Sequence, residues 1–143
     1  MKKLITTLLA LCLTTTASFS DVKLGIIIGF TGPIESLTPD MAAGAELAID
    51  EVNKSGSFSM GKVSGIRADS TCIDSSAATA AAERLITSDK VNGLMGADCS
   101  GVTTAILQQV ALANGMVMVS PSATSPALST VEDNNLFFRT APS

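Results

Sequence analysis

Two stretches of the 143-residue chain carry the residues that could do chemistry. The first is Asp98-Cys99-Ser100-Gly101, which follows the apolar run Val91 to Gly96 and precedes helix-compatible sequence. That is the pattern of a strand turning sharply into a helix, and a serine at such a start would cap it. Helix starts also draw anions, because their orphan N–H groups and the aligned peptide dipoles both favour negative charge. Ser100 is therefore a candidate contact for a ligand carboxylate. The second stretch is Ser120-Pro121-Ser122-Ala123-Thr124-Ser125-Pro126, dense in hydroxyls and stiffened by two prolines. A free amino acid needs N–H or hydroxyl donors for its carboxylate and acceptors for its ammonium. Ser100 and Thr124 can supply the first, and the carbonyl of Ser122 the second. The competing reading is that these hydroxyls only cap helices and that Asp98 is a solvated turn residue.

Catalysis finds little support in the same residues. The chain contains no histidine, which excludes His-based acid–base chemistry within it. A dinucleotide site would need G-x-G-x-x-G after the first strand. The chain has Gly29-Phe30-Thr31-Gly32-Pro33, whose Phe30 and Pro33 block close backbone approach to a pyrophosphate. There is no P-loop and no G-x-S-x-G elbow. A binding lobe, not an enzyme, is expected, with no cofactor and no metal.

The start of the chain reads as an address. Met1-Lys2-Lys3 is basic, Leu4 to Leu13 is mostly apolar, and Thr14 to Ser20 is small and polar, with Ser18 and Ser20 at small-x-small spacing. Residues 1–20 are thus expected to be a secretory signal peptide. Its apolar core falls short of the ~20 residues a membrane span needs. Lipidation at Cys12 is the lesser alternative, since Leu11 before it is too large for that signal. Removing the leader takes away Lys2 and Lys3, so nine basic residues become seven against thirteen acids, a net charge of −6. An acidic chain lacks the basic surface that nucleic-acid phosphates require.

Cys72 and Cys99 remain after the leader. In an oxidising compartment an even pair is most simply a disulfide. A metal site is the competing reading, though two thiolates without a histidine make a poor ligand set.

The elements that must position these residues alternate. Lys23 to Phe30 is a nearly continuous apolar run, as expected of a parallel strand buried on both faces. Thr38-Pro39-Asp40 offers a capping hydroxyl ahead of a helix with apolar residues at Met41, Ala45, Ala48, Ile49 and Val52. Lys62 to Ser70 is a second strand. Asp74-Ser75-Ser76 caps a second helix with a stripe of Ala78, Ala81, Ala82, Leu85 and Ile86. Strand three is Val91 to Gly96, and helix three carries Val102, Ile106, Val110 and Ala113 to a stop at Asn114-Gly115. Met116 to Ser120 and Leu136 to Arg139 complete five strands. Strands alternating with helices predict an α/β fold, a parallel sheet with helices on both faces and right-handed crossovers. Ligands gather beyond the carboxyl ends of such strands, where Thr31 to Pro33, Asp98 to Gly101 and Ser120 to Thr124 fall.

The chain resembles the periplasmic branched-chain amino-acid-binding proteins of ABC importers, type I solute-binding proteins of the leucine/isoleucine/valine class. The residues that carry the resemblance are Lys23 to Pro33, Gly44-Ala45-Glu46-Leu47-Ala48 with Asn53, and Cys72 ahead of Asp74. They continue through Gly96-Ala97-Asp98-Cys99-Ser100, Ser120 to Leu128 and Phe138-Arg139-Thr140. By that resemblance residues 21–143 are the N-terminal, Rossmann-like ligand-binding lobe, incomplete and with the second lobe absent. Cys72 and Cys99 match the family's disulfide. Ser100 matches the serine that holds the α-carboxylate, with Cys99 beside it, and Thr124 matches the threonine that joins it. Ser122 matches the position whose carbonyl meets the α-ammonium. Leu37 falls where relatives often place an aromatic against the ligand. The implied partners are an amino acid and the membrane permease subunits of an importer, the implied location is the periplasm and the implied state a monomer. A ligand-sensing domain for amides or amino acids is the alternative. With half the pocket missing, these residues alone are expected to bind ligand weakly or not at all.

Overall fold

The computed structural model describes residues 20–143, so the expected leader, apart from Ser20, lies outside the described residues. Five strands form one parallel sheet in the order β2-β1-β3-β4-β5: β1 (Val22–Ile28), β2 (Val63–Asp69), β3 (Gly93–Gly96), β4 (Met118–Ser120) and β5 (Phe137–Arg139). Strands β1 and β3 are central, and Ile26, Ile27 and Ile28 at the end of β1 are wholly buried. A branched apolar run suits a strand covered on both sides. β1 begins one residue before the expected Lys23 and ends two before Phe30, and the other strands start one or two residues later than expected, which is the ordinary scatter at element termini.

Helix α1 (Thr38–Ser55) covers one face of the sheet and α2 (Ser75–Thr87) and α3 (Ser100–Ile106) the other. The second face holds the main core, in which Ala78, Ala82 and Leu85 of α2 and Val102 and Ile106 of α3 pack on Ile27, Leu94 and Met118. Small alanines allow α2 to approach the strands closely. Asp74 caps α2 as its sequence predicts, its Oδ1 accepting from the amide of Ala77 at 3.0 Å.

Three expectations are corrected. Thr38 does not cap α1: its hydroxyl is buried and donates to the carbonyl of Gly29 at 2.9 Å, tying the helix to the loop after β1. The apolar stripe of α1 is only half used. Ala42 is buried and Met41, Ala45 and Ile49 are half-buried, while Ala48 and Val52 face an open apolar groove shared with Leu24, Phe58 and Val63. Helix three is interrupted. A π-helical turn, Leu107–Ala111, joins α3 to α4 (Leu112–Asn114), and the wider turn shifts the inward face. Ala111 is buried in place of Ala113, which is exposed. On the α1 side, Val117, Val119 and Phe138 of the β4–β5 half of the sheet are also exposed.

Candidate functional site

Every strand is parallel, so all five carboxyl ends meet at one edge of the sheet, and the loops leaving them interlock there. Gly96 makes the sharpest turn. Its φ is +134°, and a Cβ at that position would stand 1.9 Å from the carbonyl oxygen of Ile27, so only glycine lets β3 end against β1. Two residues on, Asp98 is buried rather than solvated, at 3% exposure. Its Oδ2 accepts from the amide of Gly29 at 2.8 Å, and its Oδ1 from the hydroxyl of Ser70 at 3.1 Å and the amide of Cys99 at 3.0 Å. One carboxylate thus joins the ends of β1, β2 and β3. Burying such a group is tolerable because its oxygens are met by donors.

The disulfide adds a covalent tie between the same loops. Cys72 and Cys99 are bonded, with Cα atoms 5.2 Å apart, which removes the thiolate–metal reading. Asp69, at the end of β2, anchors the loop after β1. Burial pushes its carboxyl upward, but hydrogen bonds from the Thr31 hydroxyl and from the amides of Thr71 and Thr31 outweigh this. They hold it below the usual carboxylate range.

Ser120 joins the second tip to the first. Its hydroxyl donates to the carbonyl of Ala97 at 2.5 Å and accepts from the amide of Ala123 at 3.0 Å. Ser122 donates to the carbonyl of Asp98 at 3.0 Å. Its side chain is thereby engaged, and its carbonyl has no hydrogen-bond partner among the described residues.

Ser100 does not cap its helix. Cys99 occupies that place, without a side-chain cap bond, and Ser100 is the first helical residue. The reason lies in the neighbouring loop: the amides of Thr124 and Ser125 donate to Ser100 Oγ at 3.1 and 3.0 Å. A hydroxyl oxygen has two acceptor positions and one hydrogen, and both acceptor positions are taken. What remains is the O–H, which has no acceptor among the described residues. The half-buried Ser100 is therefore a donor only, at the junction of the two tips. The hydroxyl of Thr124, exposed beside it, also has no partner among the described residues.

Ser100, Ser122 and Thr124 are thus brought together, with Cys99 behind them in the disulfide. Leu37 is not part of this junction. It lies on the same edge at the start of α1, 61% exposed, and no hydrogen bond ties its loop tip to Ser100 or Thr124. Sequence reasoning missed Asp98 as a structural tie and gave no role to Arg139. Arg139 Nη1 donates to the carbonyls of Ala123 and Ser125 at 3.2 and 2.9 Å, and its Nη2 donates to Ser129 Oγ. The one signal for it was its place in the Phe138-Arg139-Thr140 motif.

A parallel α/β sheet whose carboxyl edge carries a cluster of directed hydroxyl, amide and carbonyl groups is an arrangement at which such sheets take small ligands. Residues 21–143 match the model of the periplasmic binding protein family, and the chain belongs to that family of binding proteins. It is 31% identical over 128 residues to the Leu/Ile/Val-binding protein BraC3 of Rhizobium johnstonii, covering 90% of this chain and 34% of that protein. Among solved structures it is similar to the branched-chain amino acid transporter substrate-binding protein LivJ of Streptococcus pneumoniae in complex with isoleucine. There the TM-score is 0.77 at 25% identity, over 87% of this chain and 34% of that one. An ABC transporter substrate-binding protein of Desulfitobacterium hafniense in complex with leucine matches with a TM-score of 0.74 at 27% identity, over 87% and 35%. The chain spans about a third of the length of the curated relatives it matches.

Proposed function

We propose that this chain is the ligand-binding lobe of the substrate-binding component of an ABC importer, taking up an amino acid in the periplasm and delivering it to a membrane permease as a monomer. Ser100 and Thr124 donate to the α-carboxylate, and the carbonyl of Ser122 accepts from the α-ammonium. Cys99 holds the Ser100 loop at the wall of the site, and Leu37 flanks the ligand's side chain. Binding, without catalysis, is the whole of the chemistry.

The observation that carries this reading is the Ser100 hydroxyl. With both acceptor positions filled by Thr124 and Ser125 amides, it can only donate, which suits an anionic head group and not a cationic one. The named ligands of the relatives, leucine and isoleucine, are amino acids that present such a group.

Nuclear magnetic resonance titration of the 15N-labelled chain with L-leucine tests it. Shifts are expected at Ser100, Gly101 and Ser122 to Ser125, and smaller ones with L-leucinamide, which lacks the carboxylate. Shifts confined to residues away from this edge, or equal responses to L-leucine and L-leucinamide, would overturn the assignment.

A further inference from the structure

Arg139 stands apart from the other two arginines of the chain. Arg67 pairs with Glu46 and Arg84 with Asp89, whereas the acceptors around Arg139 are the carbonyls of Ala123 and Ser125 and the hydroxyl of Ser129. These acceptors are neutral. A guanidinium is charged at every physiological pH, and here no carboxylate among the described residues cancels that charge.

The acceptors also lead somewhere. The carbonyl of Ala123 and the amide of Thr124 belong to one peptide unit. Arg139 donates to its oxygen, and its N–H donates to Ser100 Oγ at 3.1 Å. The line therefore runs from guanidinium to carbonyl, from amide to hydroxyl oxygen, and ends on the free Ser100 hydrogen. Hydrogen bonds aligned head to tail polarise one another in the same sense, so the positive charge at one end makes the hydrogen at the other a stronger donor. Ser125 supplies an internal contrast. Its N–H meets the same Ser100 oxygen, but it belongs to the peptide unit of Thr124's carbonyl, which Arg139 does not touch.

We infer that Arg139 is a positioning residue that orients and polarises the Ser100 hydroxyl through the Ala123–Thr124 peptide unit, so that the site favours a carboxylate without a charged side chain touching the ligand. This has a purpose in a chain with a net charge of −6 once the leader is removed, whose overall field opposes an anionic head group. The inference rests on the carboxylate reading above for its ligand, but its structural half can be read without one.

The test compares Arg139→Gln and Arg139→Lys with the unaltered chain. Glutamine keeps a neutral donor toward the Ala123 carbonyl, and lysine keeps the charge. Without ligand, the Thr124 amide proton is expected to move upfield in Arg139→Gln while that of Ser125 holds, and to hold in Arg139→Lys. Equal movement of both amides, or of neither, would overturn the relay. With ligand, Arg139→Gln is expected to lower affinity for L-leucine roughly fivefold, a bond-strengthening effect of modest size, and to leave L-leucinamide unchanged. Arg139→Lys is expected to keep the leucine-to-leucinamide ratio within about twofold of the unaltered chain. A role confined to holding the loop would weaken both ligands alike and would refute the proposal, as would a ratio that collapses in Arg139→Lys. Equal responses of the unaltered chain to L-leucine and L-leucinamide refute the ligand assignment instead, and the amide shifts still decide the relay.

Discussion

Asp98→Ala removes a side chain that joins three strand ends, and the size of the loss follows from its partners. The carboxylate is buried and accepts from the Gly29 amide, the Ser70 hydroxyl and the Cys99 amide. Alanine leaves the first two, both buried, without acceptors. Orphaning a buried donor costs about 1–3 kcal/mol, so the pair predicts a loss of roughly 2–6 kcal/mol, a large part of the ~5–15 kcal/mol that holds a domain together. Asp98→Asn should lose about half as much. An amide offers one acceptor oxygen where the carboxylate offers two, so one donor must face an NH2 group. Urea denaturation followed by circular dichroism, with the disulfide intact, gives both values. Were Asp98→Ala to lie within ~0.5 kcal/mol of the unaltered chain, as an ordinary surface change does, the buried-tie account of this edge would be wrong.

Ser100→Ala leaves the Thr124 and Ser125 amides without their acceptor and removes the free donor. Spectral response to L-leucine is expected to vanish, with a stability loss of about 1–2 kcal/mol in denaturant titration; a preserved response would move the carboxylate site elsewhere. Replacing Cys72 and Cys99 together with alanine opens a loop of 27 residues' separation. On the chain-entropy account this costs about 3–4 kcal/mol, to be read as a lower urea midpoint, and a midpoint unchanged from the bonded chain would contradict it. Asp69 gives a pH effect of definite sign. Its carboxyl is held below the usual range, so its contribution is present above the unfolded value of roughly 3.9 and is lost as pH falls through the lower folded value. Asp69→Asn should be less stable than the unaltered chain at pH 7 and should converge with it in acid; parallel stability profiles from pH 7 to pH 2 would refute this.

Much of the frame was legible because it rests on local chemistry. The branched apolar run before Gly29, the Asp74 cap and the alanine stripe of α2 each act within a few residues, and each is found where its pattern places it. Ala113 was misplaced because a π-helical turn changes the helical period without a signal in side-chain type. Thr38 and Ser100 were both read as caps. Each sits beside a helix start, but a partner remote in sequence or from another loop takes its hydroxyl: the Gly29 carbonyl for Thr38, and the Thr124 and Ser125 amides for Ser100.

By itself, then, the sequence determined the alternation of strands and helices, and with it a parallel sheet whose loops carry the polar residues at one edge. Periodicity, turn residues and parity of cysteines are enough for that, since each is a property of neighbours along the chain. Only the tertiary structure decided what those polar residues do. Asp98 became a buried tie and not a solvated turn because its donors come from Gly29 and Ser70, 69 and 28 residues away. Ser100 became a donor, and Arg139 its distant support, because two loops from different strands meet on one oxygen. A hydroxyl can donate or accept, and its role is settled by whichever groups the fold brings against it.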